Sequence, residues 1–411
     1  MKEKLTGIKR TNRSQYSMYL LHVISSMDPR SGGPCQGIRN VAPFLERLGV
    51  HTEVVCMDEL DGPDMISWYS DGFPIYALGR GKTSFQYSRA LSAWLMRNLC
   101  HYDMVVVNGL WQHQNYAVYQ AVKKLRSCVE SVPKVIIMPH GMLDPYFQKA
   151  EGRKIKALRN EIVWRLTERK AVNAADALFF TCEEEQRLAA TTFNDYHPHK
   201  TVCVGFGIQS PPDYTPQMRD AFYAQCPGVK EKPYWLFLSR IHEKKGVGLL
   251  INAYKRMADL YHSLPALVIA GPVGSDYADA MMKLATGHPR IHFPGMLKGD
   301  AKWGAFYQCD GFILPSYQEN FGIDIVEAMA CSKPVLITRN VNIWKEIDAG
   351  GGGIIMDSAT EAALEHALCK LHLLDETQRK EMGQNAKHIF KARYNAPSYA
   401  NNFFRYLLEL L

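Results

Sequence analysis

Short runs of apolar residues, separated by longer amphipathic stretches, recur along the whole chain. Such runs, bounded by turn residues, are typical of strands buried on both faces, and the stretches between them have the periodicity of helices. In the first half the predicted strands are Tyr19–Ile24, Glu53–Met57, Met104–Val107, Val135–Met138, Ala177–Thr181 and Thr201–Val204. In the second half they are Trp235–Leu238, Ala266–Ala270, Arg290–Phe293, Gly311–Leu314, Val335–Ile337 and Gly353–Met356. This alternation predicts an α/β fold in which parallel sheets are covered by helices on both faces.

The stretch Gln209–Lys232 interrupts this rhythm and is the best candidate for a linker, because its composition shifts to Pro, Asp and Gln. We therefore predict two domains, residues 1–208 and residues 209–391. The last helix, predicted at Pro397–Leu411, is rich in aromatic residues and leucine, so it needs a surface against which to pack.

Composition limits the class of protein. At 411 residues with 47% hydrophobic residues, the chain can build two cores. Its net charge of +7 favours an anionic partner, such as a nucleotide-sugar, a lipid phosphate or a membrane surface. Nucleic acid is not expected, because no zinc-finger, RNA-recognition or helix-turn-helix signature accompanies the charge. The 10 cysteines form no C-x-x-C pair, and several, such as Cys56 and Cys203, fall in apolar stretches, which indicates reduced, buried thiols and a cytosolic compartment.

The beginning of the chain superficially resembles a signal peptide, since a basic stretch precedes an apolar run. That run, Met18–Ile24, is short, contains His22, and lacks a small-residue cleavage site before Asp28. We interpret residues 1–15 as a basic, poorly ordered leader that precedes the first strand. No apolar run is long enough to predict a membrane span.

The stretch Pro315–Cys331, PSYQENFGIDIVEAMAC, joins one predicted strand to the next through a helix. Two carboxylates, Glu319 and Glu327, flank the loop Asn320–Gly322 at the strand-to-helix junction. A helix N-terminus offers unpaired N–H groups and the positive end of a dipole, which suits a phosphate. The pattern predicts a ligand with a phosphate in the middle and hydroxyl-bearing rings on both sides, and a solvated helix face is the alternative.

A second strand-to-helix loop, Ser239–Gly248, carries positive charge. Arg240 provides a planar fork of donors and Lys245 a point charge, a combination that neutralises a diphosphate. Lys244 is the neighbouring alternative, but the spacing from Arg240 and Gly246 favours Lys245.

The loop after the first strand contains two adjacent glycines, Gly32 and Gly33, before a helix predicted at about Gly37–Leu48. Paired glycines permit positive φ and let a ligand approach the backbone, although a flexible surface turn is the alternative. The loop does not read G-x-G-x-x-G, which weakens a dinucleotide-binding interpretation.

Polar and aromatic residues follow two other strands of the first half. Asn108, Trp111 and His113 come after one strand, and His140 comes after the next. Because ligands of parallel sheets bind at the carboxyl ends of strands, the first three are candidates for contacting a ligand. Structural packing of Trp111 is the alternative.

Residues 149–170 predict one or two amphipathic basic helices. They could contact an anionic membrane surface, and a solvated face on a packed helix is the alternative. The basic residues are Lys149, Arg153, Lys154, Lys156, Arg159, Arg165, Arg169 and Lys170, and the apolar ones are Ile155, Leu158, Ile162, Val163 and Leu166.

Glu319-x7-Glu327 followed by Ala-Met-Ala-Cys-Ser-Lys-Pro-Val, together with Arg240-x4-Lys245-Gly, resembles the signature of the GT-B retaining glycosyltransferases of family GT4. The resemblance implies two Rossmann-like, doubly wound parallel-sheet domains facing each other across a cleft, with a helix at about 392–411 crossing back to the N-terminal domain. It also implies hexosyl transfer from a nucleotide-sugar, most commonly a UDP-hexose, to a saccharide or lipid-linked saccharide acceptor in polysaccharide biosynthesis. The nucleotide-sugar is a substrate, and no cofactor or metal is expected, since no D-x-D arrangement is present.

The same resemblance implies roles for individual residues. Glu319 holds the donor sugar, Glu327 holds the ribose hydroxyls, and Arg240 and Lys245 hold the phosphates. His140 lies near the anomeric carbon, and Asn108, Trp111 and His113 are candidates for contacting an acceptor sugar. Further donor contacts are implied for Gly32, Gly33, Gly271, Met296, Leu297, Asn320, Phe321, Gly322 and Ile323.

Two other functions stay open. A non-catalytic nucleotide-sugar or glycan-binding protein would bind donor without turnover, and a dinucleotide-dependent oxidoreductase would bind NAD. One departure from the family is Val204–Ile208, VGFGI, which replaces the more usual Pro-Asn-Gly-Val before the linker. The expected location is cytoplasmic, where the protein could sit peripherally at the inner face of the membrane.

Overall fold

The computed structural model describes residues 17–59, 71–129, 131–150 and 152–411, without the side chain of Ser31. Two compact units form within this range. The first comprises residues up to Gly207 together with Ala396–Leu411, and the second is Ile208–Asn395. The boundary between the two units thus lies after residue 207, whereas the predicted boundary lies after residue 208. The returning segment begins at residue 396, whereas the predicted start is at about 392. The leader predicted at residues 1–15 lies outside the described residues.

The first unit is built on a parallel sheet of seven strands in the order β3-β2-β1-β4-β5-β6-β7 among the described residues. The strands are β1 Met18–Val23, β2 Val50–Cys56, β3 Ile75–Ala77, β4 Met104–Asn108, β5 Lys134–Met138, β6 Ala177–Phe180 and β7 Thr201–Cys203. The helices are α1 Gly33–Arg47, α2 Arg89–Asn98, α3 His113–Arg126, α4 Tyr146–Lys149, α5 Lys154–Val163, α6 Arg169–Ala174 and α7 Glu183–Ala189, with a π-helical turn at Trp164–Glu168.

The second unit has a parallel sheet of six strands in the order β10-β9-β8-β11-β12-β13. Its strands are β8 Tyr234–Leu238, β9 Ala266–Ala270, β10 Ile291–Gly295, β11 Gly311–Leu314, β12 Val335–Thr338 and β13 Gly353–Met356. Its helices are α8 Pro216–Gln225, α9 Val247–Leu260, α10 Asp276–Ala285, α11 Gly299–Gln308, α12 Ile323–Ala330, α13 Trp344–Ala349, α14 Glu361–Leu373 and α15 Glu376–Ile389. The prediction of two Rossmann-like parallel-sheet domains is confirmed.

Both faces of the first sheet are apolar. Successive side chains of a strand point to opposite faces, and in the central strands most side chains on both faces are apolar. Val105 and Val107 belong to one buried cluster, and Val106 belongs to the other. The second cluster also contains Tyr399 and Phe403 of the last helix, α16 Ala396–Leu408. The aromatic face of α16 therefore completes the core of the first unit.

Three predictions of local structure were wrong. The candidate linker contains a helix, α8, whose Met218 and Phe222 are buried, because Pro216 starts the helix and the helix then packs closely on Gly304 of α11. The strand β3 was missed because it is a three-residue edge strand with only partly buried side chains. Cys203 is half-buried, whereas Cys56 is buried, because Cys203 ends the edge strand β7.

Within the described ranges, no helix combines the length and the apolar character that crossing a bilayer requires.

Candidate active site

In the second unit, the structure pairs the Glu319 carboxylate with the Lys245 ammonium group in an ion pair. Glu319 lies in the loop between β11 and α12, and Lys245 ends a short 3₁₀ turn after β8. Their side chains are 16% and 9% exposed, respectively, so the pair is largely shielded from water. Two carboxyl-end loops of adjacent strands thus place opposite charges together.

The pKa of Glu319 reflects both burial and this charge environment. Burial alone would raise the pKa, but the positive charges of Lys245, Lys244 and Arg240 outweigh it and hold the pKa below its usual value. The carboxylate is therefore ionised at neutral pH.

Two backbone contacts hold these loops together. The Tyr317 N–H donates to the Lys244 carbonyl over 2.9 Å. Gly246 has φ of +72°, and a Cβ atom added there would lie 2.2 Å from the Pro315 carbonyl oxygen. Glycine is needed at 246 for both reasons, since a side chain would strain the backbone and separate the loops.

Arg240 is exposed and Lys244 is half-buried, whereas Lys245 is buried. The structure therefore favours Lys245 over Lys244 as the lysine that faces Glu319. It leaves Arg240 at the surface of the same loop, where its guanidinium can reach an anionic ligand.

Glu327 lies on α12 with its carboxylate paired to Lys302 of α11, at 2.6 Å between Oε1 and Nζ. Its other oxygen, Oε2, is buried and has no hydrogen-bond partner among the described residues. Burial raises the pKa of Glu327 to about 6, although the Lys302 charge opposes this shift. Lys302, which also lies over the Trp303 ring at 4.7 Å, was missed because no motif marks it.

The loop before α12 turns its side chains into the protein. Asn320 accepts a hydrogen bond from Asn342 over 3.2 Å, and the buried Phe321 packs edge-on against Tyr394. Gly322, at φ of +75°, precedes the first helical residue, Ile323. Residues 320–323 therefore present mainly backbone N–H groups at the start of the helix to a ligand, whereas Glu319, earlier in the same loop, presents its carboxylate.

The remaining donor candidates of the second unit lie at the same carboxyl edge of its sheet. Gly271 follows β9, and its N–H donates to the Gly295 carbonyl. A Cβ atom at 271 would lie 2.1 Å from the Ser239 carbonyl oxygen, so close backbone packing demands glycine here. Met296 is 56% exposed and Leu297 is buried, both just after β10.

In the first unit, His140 follows β5 in a left-handed backbone conformation, with φ of +52°. The buried Glu185 carboxylate accepts a hydrogen bond from the Gly141 N–H over 2.5 Å and two more from Thr181. Sequence reasoning missed Glu185, because it lies far along the chain at the start of α7. This carboxylate fixes the turn that presents His140.

The His140 ring belongs to a buried polar chain. His140 Nε2 lies 3.1 Å from Asn108 Oδ1, and Asn108 Nδ2 lies 3.2 Å from Nδ1 of the buried His22. Burial lowers the pKa of His140 to about 4, and burial and the charge of His140 together lower that of His22 to about 3. Both imidazoles are neutral at physiological pH.

Trp111 and His113 take no part in that chain. Trp111 packs against Phe193 with ring centroids 5.3 Å apart. His113 Nδ1 accepts a hydrogen bond from the Ser88 N–H, and its ring packs against Tyr87. Of the three acceptor candidates, only Asn108 is brought to His140, and these contacts favour the packing alternative for Trp111.

The two glycines of the first loop differ in conformation. Gly32 has φ of +104° and precedes α1, which begins at Gly33 and not at Gly37 as predicted. The helix begins earlier because the left-handed Gly32 ends the preceding turn and Pro34 suits the first helical turn. The loop follows β1, which lies next to β4, and β4 in turn lies next to β5. Asn108 is the last residue of β4, and His140 comes two residues after the end of β5.

Comparisons with known proteins agree with this architecture. The sequence model of a family described as Glycosyl transferases group 1 matches residues 220–389. A model described as Glycosyl transferase 4-like domain matches residues 32–207. The chain belongs to the group 1, GT4-type glycosyltransferases.

Individual relatives differ in how much they cover. D-inositol 3-phosphate glycosyltransferase of Corynebacterium jeikeium is 30% identical over 172 residues, which are 40% of this chain and 41% of that protein. Lipopolysaccharide 1,2-N-acetylglucosaminetransferase of Salmonella typhimurium is 20% identical over 398 residues, 93% of this chain and 96% of that one. The matches to several curated relatives span less than half of those proteins.

Among solved structures, Anabaena Alr3699/HepE in complex with UDP superposes with a TM-score of 0.74 at 18% identity, covering 95% of this chain and 100% of that one. At this identity the likeness establishes the fold, which is GT-B.

Proposed function

We propose that this protein is a retaining, metal-independent hexosyltransferase that uses a nucleotide-sugar, namely a UDP-hexose, to extend a saccharide or lipid-linked saccharide in polysaccharide biosynthesis. The observation that carries the proposal is the pairing of Glu319 with Lys245 beside Arg240, at the carboxyl edge of a parallel sheet. Ligands of such sheets bind at this edge.

The charges suit departure of a nucleoside diphosphate. Lys245, Arg240 and the N-terminal amides of α12 would stabilise the negative charge that develops on the leaving phosphate. Glu319 would orient the donor sugar, and Lys245 would be shared between this carboxylate and the distal phosphate. In front-face transfer the leaving phosphate itself accepts the acceptor's proton, so no separate protein base is required, and His140 would lie beside the reacting carbon.

Glu327 would bind the ribose. Its Oε2 atom, buried without a partner among the described residues, can accept a hydrogen bond from a ribose hydroxyl while Oε1 stays with Lys302. Uracil is the proposed base because the fold neighbour HepE was solved with UDP and with UDP-glucose.

The donor site is tested by thermal shift with UDP, GDP, ADP, UDP-hexoses and NAD. A ligand at a hundred times its Kd adds about 2.7 kcal/mol to stability, which the method detects easily. We expect UDP compounds to raise the Tm, and Glu327→Gln to abolish this shift. Glu376→Gln, which changes an exposed carboxylate paired with Lys380, is the matched control and should keep it.

Catalysis needs its own measurement. We expect UDP release from a UDP-hexose with EDTA present, and an α-linked product from an α-linked donor by NMR of the anomeric proton. A shift with NAD alone would refute the transferase proposal, whereas a UDP shift without turnover over a panel of saccharide acceptors would favour a non-catalytic binding protein.

Peripheral membrane contact is a further part of this proposal. Four large apolar side chains project into solvent from α5 and the following π-helical turn, and their spacing puts them along one face. They are Ile155, Leu158, Ile162 and Leu166, which are 87%, 64%, 50% and 61% exposed. Exposed basic residues flank this apolar row, namely Lys154, Lys156, Arg159, Arg165 and Lys170. A solvated face would be polar, so apolar residues interleaved with cations favour an anionic lipid surface.

Vesicle co-sedimentation tests this surface. We expect binding to vesicles rich in phosphatidylglycerol, little binding to phosphatidylcholine vesicles, and loss of binding in Ile155→Gln/Leu158→Gln/Leu166→Gln. The control Leu260→Gln/Leu373→Gln/Leu411→Gln removes equally exposed apolar residues elsewhere and should still bind. Equal binding by both triple variants would contradict the proposed surface.

A further inference from the structure

We infer that Asn108 and His22 are positioning residues that hold His140 in a single tautomer, with its proton on Nε2 and its lone pair on Nδ1. The inference rests on the proposed function only for the role of His140. The tautomer itself follows from hydrogen bonding within the first unit.

One backbone carbonyl sets the direction of the hydrogen bonds that link His140, Asn108 and His22. Asn108 Nδ2 lies 3.3 Å from the Val106 carbonyl oxygen. A carbonyl oxygen can only accept a hydrogen bond, so the side-chain atom of Asn108 that faces it must be the NH₂ group. The opposite orientation would place two oxygens against each other inside the protein.

Once the amide is oriented, both imidazoles are determined. The Asn108 oxygen faces His140 Nε2, so this nitrogen must carry a proton to donate. The Asn108 NH₂ group faces His22 Nδ1, so that nitrogen must be unprotonated, and the proton of His22 lies on Nε2.

The proton on His22 Nε2 has no partner among the described residues. His22 lines a cavity of about 20 Å³ together with Gly37 and Phe206. This is room for one water molecule, which would accept the proton.

The surroundings oppose any second proton on either ring. Among the described residues, no carboxylate lines this cavity. Besides His22, Asn108 and His140, its lining consists of Pro34, Gly37, Ile38, Val41, Met138, Phe206, Gly207, Tyr399 and Phe403. An imidazolium here would be buried without a counter-ion. The low pKa values of His22 and His140 agree with this geometry.

Backbone and ring of His140 are thus anchored independently. Glu185 holds the left-handed turn through the Gly141 N–H, and Asn108 holds the ring. A strained residue that is fixed twice is typical of a functional site. The result is an uncharged imidazole that offers only the acceptor Nδ1 to a ligand hydroxyl and adds no positive charge beside an oxocarbenium-like sugar.

The test is a long-range ¹H–¹⁵N correlation spectrum of the full chain labelled with ¹⁵N-histidine, without ligand, at pH 6 to 8. His140→Gln and His22→Gln assign the two rings. We expect both to show the neutral Nε2–H pattern across this range. The Nδ1–H pattern or an imidazolium at His140 would overturn the inference.

Asn108→Asp supplies the second readout. A carboxylate accepts from both rings, so it should move a proton to His22 Nδ1 and make at least one of the two imidazoles titrate near neutral pH. Asn115→Asp, which changes another buried asparagine, bonded to the Gly109 carbonyl, should leave the His140 signals unchanged. Unaltered His22 and His140 signals in folded Asn108→Asp would count against the inference.

Kinetic measurements then separate the inference about the His140 tautomer from the proposed function. If the wild type releases UDP from a UDP-hexose, Asn108→Asp should lower kcat at least tenfold with a small change in KM, and should introduce a pH-dependent limb. If the wild type releases none, the proposed function fails while the NMR result still decides the tautomer.

Discussion

Lys245 and Glu319, which are 74 residues apart in the chain, form an ion pair that is largely withdrawn from water in the second unit. Burying two charges is costly, and the pair offsets this cost only while both partners are present. Because a buried ion pair contributes little net stability, we interpret the pair as retained for ligand binding and not for stability.

Lys245→Met should therefore destabilise the protein markedly. Removing the ammonium group leaves Glu319 buried with only the more distant Lys244 and Arg240 to stabilise its charge. We expect a loss on the order of 3 kcal/mol in the free energy of unfolding, measured by urea denaturation without ligand. The double variant Lys245→Met/Glu319→Gln should recover most of this loss. A loss in the double variant equal to the sum of the losses in Lys245→Met and Glu319→Gln would contradict the interpretation.

Glu327→Gln is expected to stabilise the protein at neutral pH. The pKa of Glu327 is about 6 in the folded protein, above its unfolded value of 4.5. Its contribution to stability is therefore full below pH 4.5 and is lost as pH rises through 6. Glutamine removes this loss, so at pH 7.5 the variant should gain up to about 2 kcal/mol, since one pKa unit corresponds to about 1.36 kcal/mol.

The same Glu327→Gln variant should lose its thermal shift with UDP. Gain of stability with loss of binding is the pattern of a residue kept for function. A variant that is less stable than the wild type at pH 7.5, and no different at pH 4.5, would show that the pair with Lys302 is structural.

Most of the fold could be predicted from the apolar runs. Ala266–Ala270 and Gly311–Leu314 are strands with the predicted ends, because buried strands are bounded sharply by turn residues. The helix at Pro216–Gln225 could not be predicted, since the prolines around it and its own polar residues are typical of a linker, and only its packing on Gly304 reveals a helix.

The candidate site could be predicted from the sequence only where its residues stand in local motifs. Glu319, Lys245 and Glu327 stand in motifs of strand-to-helix loops, whose position at a sheet edge follows from the fold. Lys302, Glu185 and His22 could not be found this way, because each acts through a contact between elements distant in sequence. Asn108 was predicted as an acceptor contact, and the geometry joins it to His140.

Glu168 should make stability depend on pH in the first unit. This fully buried carboxyl group, in the π-helical turn, accepts a hydrogen bond from the Trp111 N–H over 3.0 Å. Burial raises its pKa to about 8, well above the unfolded value of 4.5, although the bond from Trp111 opposes the shift. Its contribution to stability is therefore full below pH 4.5 and declines as pH rises to 8.

Glu168→Gln keeps an acceptor for Trp111 and cannot ionise. The difference in Tm between this variant and the wild type should therefore grow in favour of the variant from pH 5 to pH 8, by calorimetry. Glu161→Gln, on the same helical segment and paired with Arg165 at the surface, should show no such trend. Parallel pH profiles for wild type and Glu168→Gln would mean that Glu168 is ionised in the folded protein.

Gly246→Ala tests how closely the two charged loops must approach. The left-handed backbone at Gly246 costs a non-glycine residue about 1 kcal/mol, and the Cβ atom would also meet the Pro315 carbonyl oxygen at 2.2 Å. Gly287 is the matched control, because it has a similar φ of +81° with nothing within 4 Å of an added Cβ atom. By calorimetry, we expect Gly287→Ala to lose only the backbone contribution of about 1 kcal/mol to the free energy of unfolding. We expect Gly246→Ala to lose about 1–3 kcal/mol more, because its Cβ atom also meets the Pro315 carbonyl oxygen. Since separating the loops would also move Lys245 from Glu319, Gly246→Ala alone should weaken the thermal shift with UDP. Equal stability losses in the two variants would show that the loops tolerate separation.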